Sequence, residues 1–286
     1  MDNQIDQAVL AYIKNLPSLP TTVRKVLEVC NNPQASPVDL NRVISLDPVL
    51  VARVIKLINS SYYSLGNRVT SLVRAVIMLG INTVKNMALS TAILANVFSK
   101  KKIPGLNMDE FWRHSLCTAV TAKFIAKKRS VDNKLLEEYF TAGLLHDIGK
   151  IPINAIRSLE YKRLAETAGN EGLSLYVAEE RQLGYTHCNA GEMIARSWQL
   201  GGAIGDVITW HHSCLDYDGP YKDVLFTVVA ANRFAADMKI GFAGDRHPPP
   251  LDPEVLQCLN MRETIIEELE LVVNKEIEKA SVFLKL

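Results

Sequence analysis

The sequence predicts an all-α fold, and three observations support this prediction. Apolar residues recur at helical spacing in nearly every readable segment, as Val51, Val54 and Ile58 do at i, i+3 and i+7. A small polar residue and a proline stand together where such segments begin, as in Ser36-Pro37 and Asp47-Pro48. No segment sustains the alternation of apolar and polar residues that indicates a strand.

The first third of the chain contains four predicted helices. Ser36-Pro37 begins the first and Asp47-Pro48 begins the second, because each pair combines a capping oxygen with a proline at the first helical position. Thr70-Ser71 begins the third, which Gly80 ends. The fourth runs from about 82 to 98.

The remainder of the chain is predicted to be helical as well, after a composition break at Ser99–Asn107. The predicted helices lie near 109–128, 134–147, 188–198, 201–212 and 222–238, and the loop Gly241–Pro250 follows them. Asp252-Pro253 then begins a segment with Glu/Lys pairs, which we expect to form two exposed helices over Pro253–Lys285. We therefore expect three parts, namely an N-terminal helical part (1–105), a helical subdomain (106–250) and a C-terminal helical extension (251–286).

Composition and charge argue against several classes of protein. The 286 residues include 32 Lys+Arg and 31 Asp+Glu, whereas nucleic-acid binders and binders of anionic membranes normally carry a basic excess. The acidic start MDNQID does not resemble a signal peptide, and the longest apolar runs are too short to span a membrane. Five cysteines without a C-x-x-C pair favour a reducing compartment over a disulfide framework. We expect a cytoplasmic protein that contacts no membrane.

Histidines concentrate where the predicted helices begin and end, since five of the six lie between 114 and 212. The candidate ligands of a metal centre are His114, His146, Asp147, His187, His211 and His212, with Glu110 one helical turn before His114. Imidazoles and carboxylates from several helices can build such a centre inside a bundle. A nitrogen and oxygen donor set without thiolate favours Fe or Mn, or hydrolytic Zn, over a structural zinc.

The same residues also have an ordinary structural interpretation. A single histidine is more often a packed or surface residue than a ligand, and adjacent His-Asp pairs occur as helix caps. Glu110 and His114 could form a simple i, i+4 contact on a solvated helix face. Spacing alone therefore leaves both interpretations open.

Several separated motifs resemble known families. The segment Gly143–Lys150, GLLHDIGK, is similar to the signature of the HD superfamily of metal-dependent phosphohydrolases. Upstream, LPSLP (16–20), ISLDP (44–48), INSSYY (58–63) and AVIMLG (75–80) occur in the order found in the HDOD domain, an HD-related output domain of bacterial signalling proteins. This resemblance runs from about Leu16 into the C-terminal helices. It implies an N-terminal helical subdomain packed on an HD-like, metal-binding subdomain at 106–250.

The resemblance also implies roles for the candidate residues. His114 matches the first histidine of the superfamily, and His146-Asp147 matches its central pair. His187 and His211-His212 match extra ligands of the HD-GYP phosphodiesterases, which hydrolyse cyclic di-GMP at a two- or three-metal centre. Glu110 stands where some of those enzymes place an additional acidic ligand.

In that arrangement Asp147 would bridge two metals and help to generate hydroxide from a bridging water. One metal would take His114, His146 and His187, and the other would take His211 and His212. Lys150 would meet a phosphate oxygen as a point charge. A solvated lysine at a helix C-terminus is the alternative interpretation of Lys150.

Two departures from the family patterns argue against catalysis. Asn232 stands where the superfamily places its closing aspartate, and a neutral amide is a weaker ligand than a carboxylate. The segment after His212 contains no Gly-Tyr-Pro motif. We therefore expect a signalling or regulatory protein with a retained mono- or dinuclear metal site and little or no hydrolase activity. Its partner would be a signalling protein or a small phosphorylated or nucleotide ligand.

Two alternatives remain. The first is an active metal-dependent phosphohydrolase or phosphodiesterase, with a cyclic dinucleotide as one candidate substrate. The second is a DNA-binding regulator, since Ser71–Ile81 followed by Asn82–Ala92 could form a helix-turn-helix. The DNA-binding alternative is the weaker of the two, because Lys85 is the one basic residue in the second of these helices.

Overall fold

The fold is known from a computed structural model that describes residues 5–32, 34–97, 105–261 and 265–285. All regular secondary structure within these ranges is helical, which confirms the predicted fold class. The N-terminal helices are α1 (Gln7–Asn15), α2 (Thr21–Cys30), α3 (Pro37–Ile44), α4 (Pro48–Ile58), α5 (Leu72–Leu79) and α6 (Ile81–Val97).

Ten further helices follow. They are α7 (Met108–Lys128), α8 (Leu136–Leu145), α9 (Lys150–Ile156), α10 (Ser158–Glu171), α11 (Leu175–Leu183), α12 (His187–Ser197), α13 (Gly202–Trp210), α14 (Lys222–Asp237), α15 (Pro253–Cys258) and α16 (Ile265–Ala280). Short 3₁₀ helices lie at Cys214–Asp216 and Ser281–Lys285.

The capping signals identified the starts of α3 and α4. The Ser36 hydroxyl and the Asp39 carboxylate form a reciprocal capping box at the start of α3. The Asp47 carboxylate accepts a hydrogen bond from Leu50 N at 2.9 Å at the start of α4. Helices α2 and α10 have no side-chain cap, and the sequence analysis assigned no helix to either segment.

Helix α7 is the centre of the bundle and packs against α8, α14 and α16. Its close approach to α8 depends on Gly143, because a Cβ at that position would lie 2.9 Å from the Cα of Ala119. Helix α8 also packs against α6 and α13, and α12 packs against α13. The ends of α7, α8, α12 and α13 thereby meet at one point, which is where the candidate site lies.

Helix α6 is a core helix, and its burial argues against the helix-turn-helix alternative. Every residue from 83 to 94 except Lys85 is buried, so this stretch of the helix has no face free to enter a DNA groove. Among the described residues, no single helix is long and apolar enough to cross a bilayer. Helix α5 and the part of α6 that ends at Ala95 are long and apolar enough only when they are taken together, and a bend of 119° separates them.

The C-terminal segment is less exposed than the sequence predicted. Helix α16 buries Leu269, Val273 and Ala280 on one face. Phe283 is 1% exposed, and its ring centroid lies 4.6 Å from that of Phe140 in α8. The prediction of two exposed helices is therefore wrong for this face, because Glu/Lys pairs report only the solvated side of an amphipathic helix.

The predicted division into three parts stays a prediction. Most of the composition break at Ser99–Asn107 lies outside the described residues, which omit 98–104. The apolar core is continuous across all three predicted parts, from Ile5 to Phe283.

We expect Phe283→Ala to lower the free energy of unfolding by about 3 to 5 kcal/mol, because it removes a buried aromatic ring between α8 and the C-terminal segment. Urea unfolding followed by circular dichroism measures this. Leu271→Ala is the control, since Leu271 is 74% exposed on the same segment and should change little. A loss below about 1 kcal/mol for Phe283→Ala would show that the segment is not part of the core.

Candidate metal centre

The candidate site is built around the turn at residues 146–149, which joins α8 to α9. This turn places His146 and Asp147 inside the bundle, each 1% exposed. Gly149 allows the turn to lie against α12, because a Cβ there would be 1.9 Å from the carbonyl oxygen of His187. The absence of a side chain at residue 149 thus brings His187 next to Asp147.

His187 and His211 converge on one oxygen of Asp147. The two Nε2 atoms are 3.2 Å apart and lie 3.3 and 3.5 Å from Asp147 Oδ1. The other nitrogen of each ring faces an acceptor, with His187 Nδ1 2.6 Å from Glu179 Oε2 and His211 Nδ1 3.0 Å from Val207 O. Both Nδ1 atoms therefore donate to these acceptors, and both Nε2 atoms are directed at Asp147 Oδ1.

Three possible metal-ligand atoms converge in this buried site. Asp147 Oδ1 is buried and has no hydrogen-bond partner among the described residues. Donors that share one ion at about 2.1 Å are separated by roughly 3.0 to 3.4 Å, which is close to the separations of these three atoms. Glu179 and Val207 accept hydrogen bonds from the far nitrogens of the two rings and orient them as metal sites require. The arrangement fits a divalent cation.

The electrostatics around these rings also favour positive charge. Burial opposes a charged ring at His187, but the Glu179 carboxylate raises its pKa well above the usual value. Burial also lowers the pKa of His211, but Cys188 and Asp147 outweigh it and raise the pKa to about 9. Burial alone would raise the pKa of Asp147, yet His146 and Lys150 hold it well below its ordinary range. Asp147 is therefore a carboxylate.

A second group of donors lies on the other side of Asp147. It comprises His114, His146 and Asp147, whose potential ligand atoms all lie within 4.8 Å of one another. His146 Nδ1 donates to Gly143 O at 2.8 Å, which leaves Nε2 buried without a hydrogen-bond partner among the described residues. Burial lowers the pKa of His146, and burial together with His146 lowers that of His114 to about 4. Both rings are thus neutral, as metal ligands must be.

The grouping of the histidines differs from the sequence analysis. His187 belongs with His211 and His212, whose ligand atoms cluster with Asp147, and not with His114 and His146. Glu110 belongs to neither group of described residues. Its backbone carbonyl accepts a hydrogen bond from Phe242 N at 3.0 Å, and this bond fastens α7 to the loop after α14.

Asn232 lies on α14 beside the second group. Its Oδ1 is 2.8 Å from His114 Nε2, so the ring donates its Nε2 proton to the amide oxygen. Asn232 therefore contacts a candidate ligand, and it contributes no negative charge.

Lys150 is buried and 4% exposed, and it stands at the start of α9. Its Nζ donates to Asp147 Oδ2 at 2.7 Å. The interpretation of Lys150 as a solvated lysine at a helix C-terminus is therefore wrong. The two oxygens of Asp147 have different surroundings, with Oδ2 facing Lys150 and His146 and Oδ1 facing His187 and His211.

A cavity of about 480 Å³ opens onto this cluster. His114, Asp147, Lys150, His211, His212 and Asn232 line its inner wall. The loop at 241–250 forms the opposite wall, and Arg233 holds it by donating from Nη1 to Pro248 O at 2.7 Å and to Pro249 O at 3.0 Å. The volume is within the range of sites for small ligands.

Sequence reasoning missed two residues of the site. Glu179 on α11 is fully buried and faces the His187 ring. It accepts one hydrogen bond from His187 N at 2.8 Å and another from the hydroxyl of Tyr161. Tyr176, also on α11, stacks on the His212 ring at 4.6 Å. The N-cap at Ser174 was the available signal for this helix, but no local pattern marks a buried Glu that pairs with a distant histidine.

The HDOD domain model matches residues 16–214. A solved HDOD domain protein of unknown function from Geobacter sulfurreducens is 27% identical, with a TM-score of 0.71 and 96% of each chain covered.

Two further solved structures show a similar fold. A Shewanella amazonensis SB2B protein, provisionally named a phosphohydrolase, is 24% identical with a TM-score of 0.71, over 97% of this chain and 98% of its own. A Marinobacter aquaeolei VT8 protein, provisionally named a signal transduction protein, is 22% identical with a TM-score of 0.74, over 99% of this chain and 62% of its own.

One curated relative is an uncharacterized protein of Treponema pallidum (strain Nichols). It is 24% identical over 223 residues, which are 77% of this chain and 42% of the relative. The chain thus matches less than half of that protein's length.

We expect Glu179→Gln to weaken metal binding by about 10- to 100-fold, because an amide replaces the charged acceptor that orients His187. Competition of Mn²⁺ between the protein and a chelator measures the affinity. Glu180→Gln is the matched control, since Glu180 is exposed on the same helix and should bind Mn²⁺ as the unmodified protein does. Equal affinity in the two variants would contradict the orienting role of Glu179.

Proposed function

Because the chain belongs to the HDOD family, we propose that it is a signalling or regulatory module that holds a divalent metal and hydrolyses phosphoesters slowly or not at all. The observation that carries this proposal is a buried histidine cluster around a single carboxylate, Asp147, with an amide in contact with His114. The cluster supports metal binding, and the amide argues against efficient catalysis.

Two ligand sets share Asp147 in this proposal. Oδ1 of Asp147 would hold an ion together with His187, His211 and His212, and a second ion would use His146 and His114. The donors are imidazoles and one carboxylate, which favours Fe or Mn, with Zn as the further candidate. A divalent ion there would polarise a phosphoryl oxygen and lower the pKa of a coordinated water.

The charge balance favours one ion over two. Asp147 is the one carboxylate in the two donor groups, and Lys150 already neutralises it at 2.7 Å. The other buried carboxylate beside these groups, Glu179, faces His187. Each divalent ion would add two positive charges to a buried region, where uncompensated charge is costly. Asn232 supplies no compensating charge to the second group, so the set around His187 and His211 would fill first.

The second candidate function is an active metal-dependent phosphohydrolase or phosphodiesterase. The cavity of about 480 Å³ favours it, because the cavity reaches His114, Asp147 and Lys150 together. In that function Lys150 would contact a phosphate oxygen of the substrate. A cyclic dinucleotide remains a candidate substrate under this alternative.

The proposed ligand of the cavity is a small phosphorylated or nucleotide molecule, and the proposed macromolecular partner is another signalling protein. The five free cysteines fit a reducing compartment such as the cytoplasm.

We expect the protein as purified to carry about one metal ion per chain, because the buried donors around Asp147 are stabilised by a cation. Elemental analysis by mass spectrometry checks this, with Asp147→Asn expected to reduce the content to traces. Asp218→Asn, an exposed site outside the cavity, is the matched control and should keep its metal. Trace metal in the unmodified protein under native purification would overturn the metal-binding proposal.

We expect hydrolysis of bis(p-nitrophenyl) phosphate to be no faster with the unmodified protein than with Asp147→Ala. Turnover of about 1 per second or more, abolished by Asp147→Ala, would establish the enzyme alternative instead.

Asn232→Asp should raise Mn²⁺ affinity several-fold, because it restores a carboxylate beside His114. Unchanged Mn²⁺ affinity in Asn232→Asp would show that the missing charge is not what limits the site.

A further inference from the structure

The cavity at the metal centre has a buried inner end and an exposed outer end. The inner end is the metal centre itself, where Asp147 and Lys150 line the wall and Asp147 Oδ1 is buried without a hydrogen-bond partner among the described residues. The outer end is lined by the turn after α13, by the loop at 241–250 and by the start of α15. None of these outer segments supplies a ligand to the proposed metal sites.

Three carboxylates lie at the outer end, one on each of these segments. Asp216 and Asp252 are exposed, and Asp245 is half-buried. Asp252 accepts a hydrogen bond from Glu254 N at 2.8 Å. Asp245 accepts one from His247 N at 3.0 Å. In the part of the chain that the structure describes, no basic side chain forms an ion pair with any of the three, so their negative charge is not compensated.

Arg233 also lines the cavity, but its charge is already compensated. Its Nε lies 2.9 Å from Asp237 Oδ2, and its Nη2 lies 2.9 Å from Oδ1 of the same carboxylate. Its Nη1 donates to the carbonyl oxygens of Pro248 and Pro249. The guanidinium therefore holds the loop in place, and the outer end of the cavity keeps a net negative charge.

Asp245 is the outer carboxylate that a cation would stabilise most. Burial raises the pKa of its carboxyl, and Lys150 together with the backbone N–H groups of His247 and Leu175 offsets this only in part. A positive group beside Asp245 would favour its charged form.

The three outer carboxylates are not arranged to share a metal ion. Within the described ranges, three or more His, Cys, Asp or Glu ligand atoms come within 4.8 Å of one another only in the two groups around Asp147. Carboxylates that are spread around an opening suit an ammonium group instead, because it carries its charge on a centre with several hydrogen-bond donors.

We propose that the ligand of this cavity is a phosphorylated amine, whose phosphate lies at the metal end and whose ammonium group lies among Asp216, Asp245 and Asp252. This rests on the proposed function, since a divalent ion beside Asp147 makes the inner end positive while the outer end stays negative. A molecule with opposite charges at its two ends matches both ends of the cavity. A molecule with several phosphates in a row would meet repulsion at the outer end.

The test is isothermal titration calorimetry on the protein loaded with one equivalent of Mn²⁺. The probes are 2-aminoethyl, 4-aminobutyl and 6-aminohexyl phosphate, each compared with the alkyl phosphate of the same chain length that lacks the amine. At least one amine should bind about tenfold more tightly than its alkyl counterpart. Asp245→Asn and the double variant Asp216→Asn/Asp252→Asn should each reduce this preference by about threefold or more, because they remove charge and keep an acceptor oxygen.

The matched control for the double variant is Asp132→Asn/Asp218→Asn, which removes the same charge at two exposed positions outside the cavity. It should leave the preference for the amine unchanged. With Mn²⁺ bound, the proposal is overturned by equal affinities in every pair, by no binding of any probe, or by a preference that survives both variants. Failure of the protein to bind Mn²⁺ at all would instead remove the proposed function, and this proposal with it.

Discussion

The arrangement of this protein depends on one buried carboxylate. Asp147 is 1% exposed, and a charge at that depth is tolerated only where positive charge and hydrogen bonds surround it. Lys150 supplies one positive charge at 2.7 Å on Oδ2, while Oδ1 faces two imidazole nitrogens with no hydrogen-bond partner among the described residues. A divalent cation between Oδ1 and those nitrogens would complete the compensation. The packing of α8, α9, α12 and α13 at this point is therefore tied to the chemistry of the site.

The two sides of Asp147 differ in how completely they are built. On one side, His187 is held by Glu179, which is in turn held by Tyr161, so that a chain of buried hydrogen bonds fixes the ring. On the other side, His114 faces an amide at Asn232. Under the proposed function, this difference would suit a protein that holds one ion more firmly than a second and hydrolyses phosphoesters slowly or not at all.

Much of this organisation could be predicted from sequence, where the signal is local. Side-chain caps at Ser36 and Asp47 marked α3 and α4, and the motif at 143–150 marked the turn that carries Asp147. Long-range features could not be predicted in this way. The pairing of Glu179 with His187 depends on α11, which was not predicted, and the membership of His187 in the His211 group depends on the packing of α12 on α13. The burial of α6 likewise follows from its neighbours and not from its own pattern.

The measurement that tests the central claim most directly is anomalous X-ray diffraction from crystals grown with Mn²⁺, with data collected on both sides of the Mn K absorption edge. We predict an anomalous peak within bonding distance of Asp147 Oδ1, His187 Nε2 and His211 Nε2, at least as strong as any peak beside His114 and His146. A map that has no peak at this cluster, and in which His187 Nε2 donates a hydrogen bond directly to Asp147 Oδ1, would contradict the account.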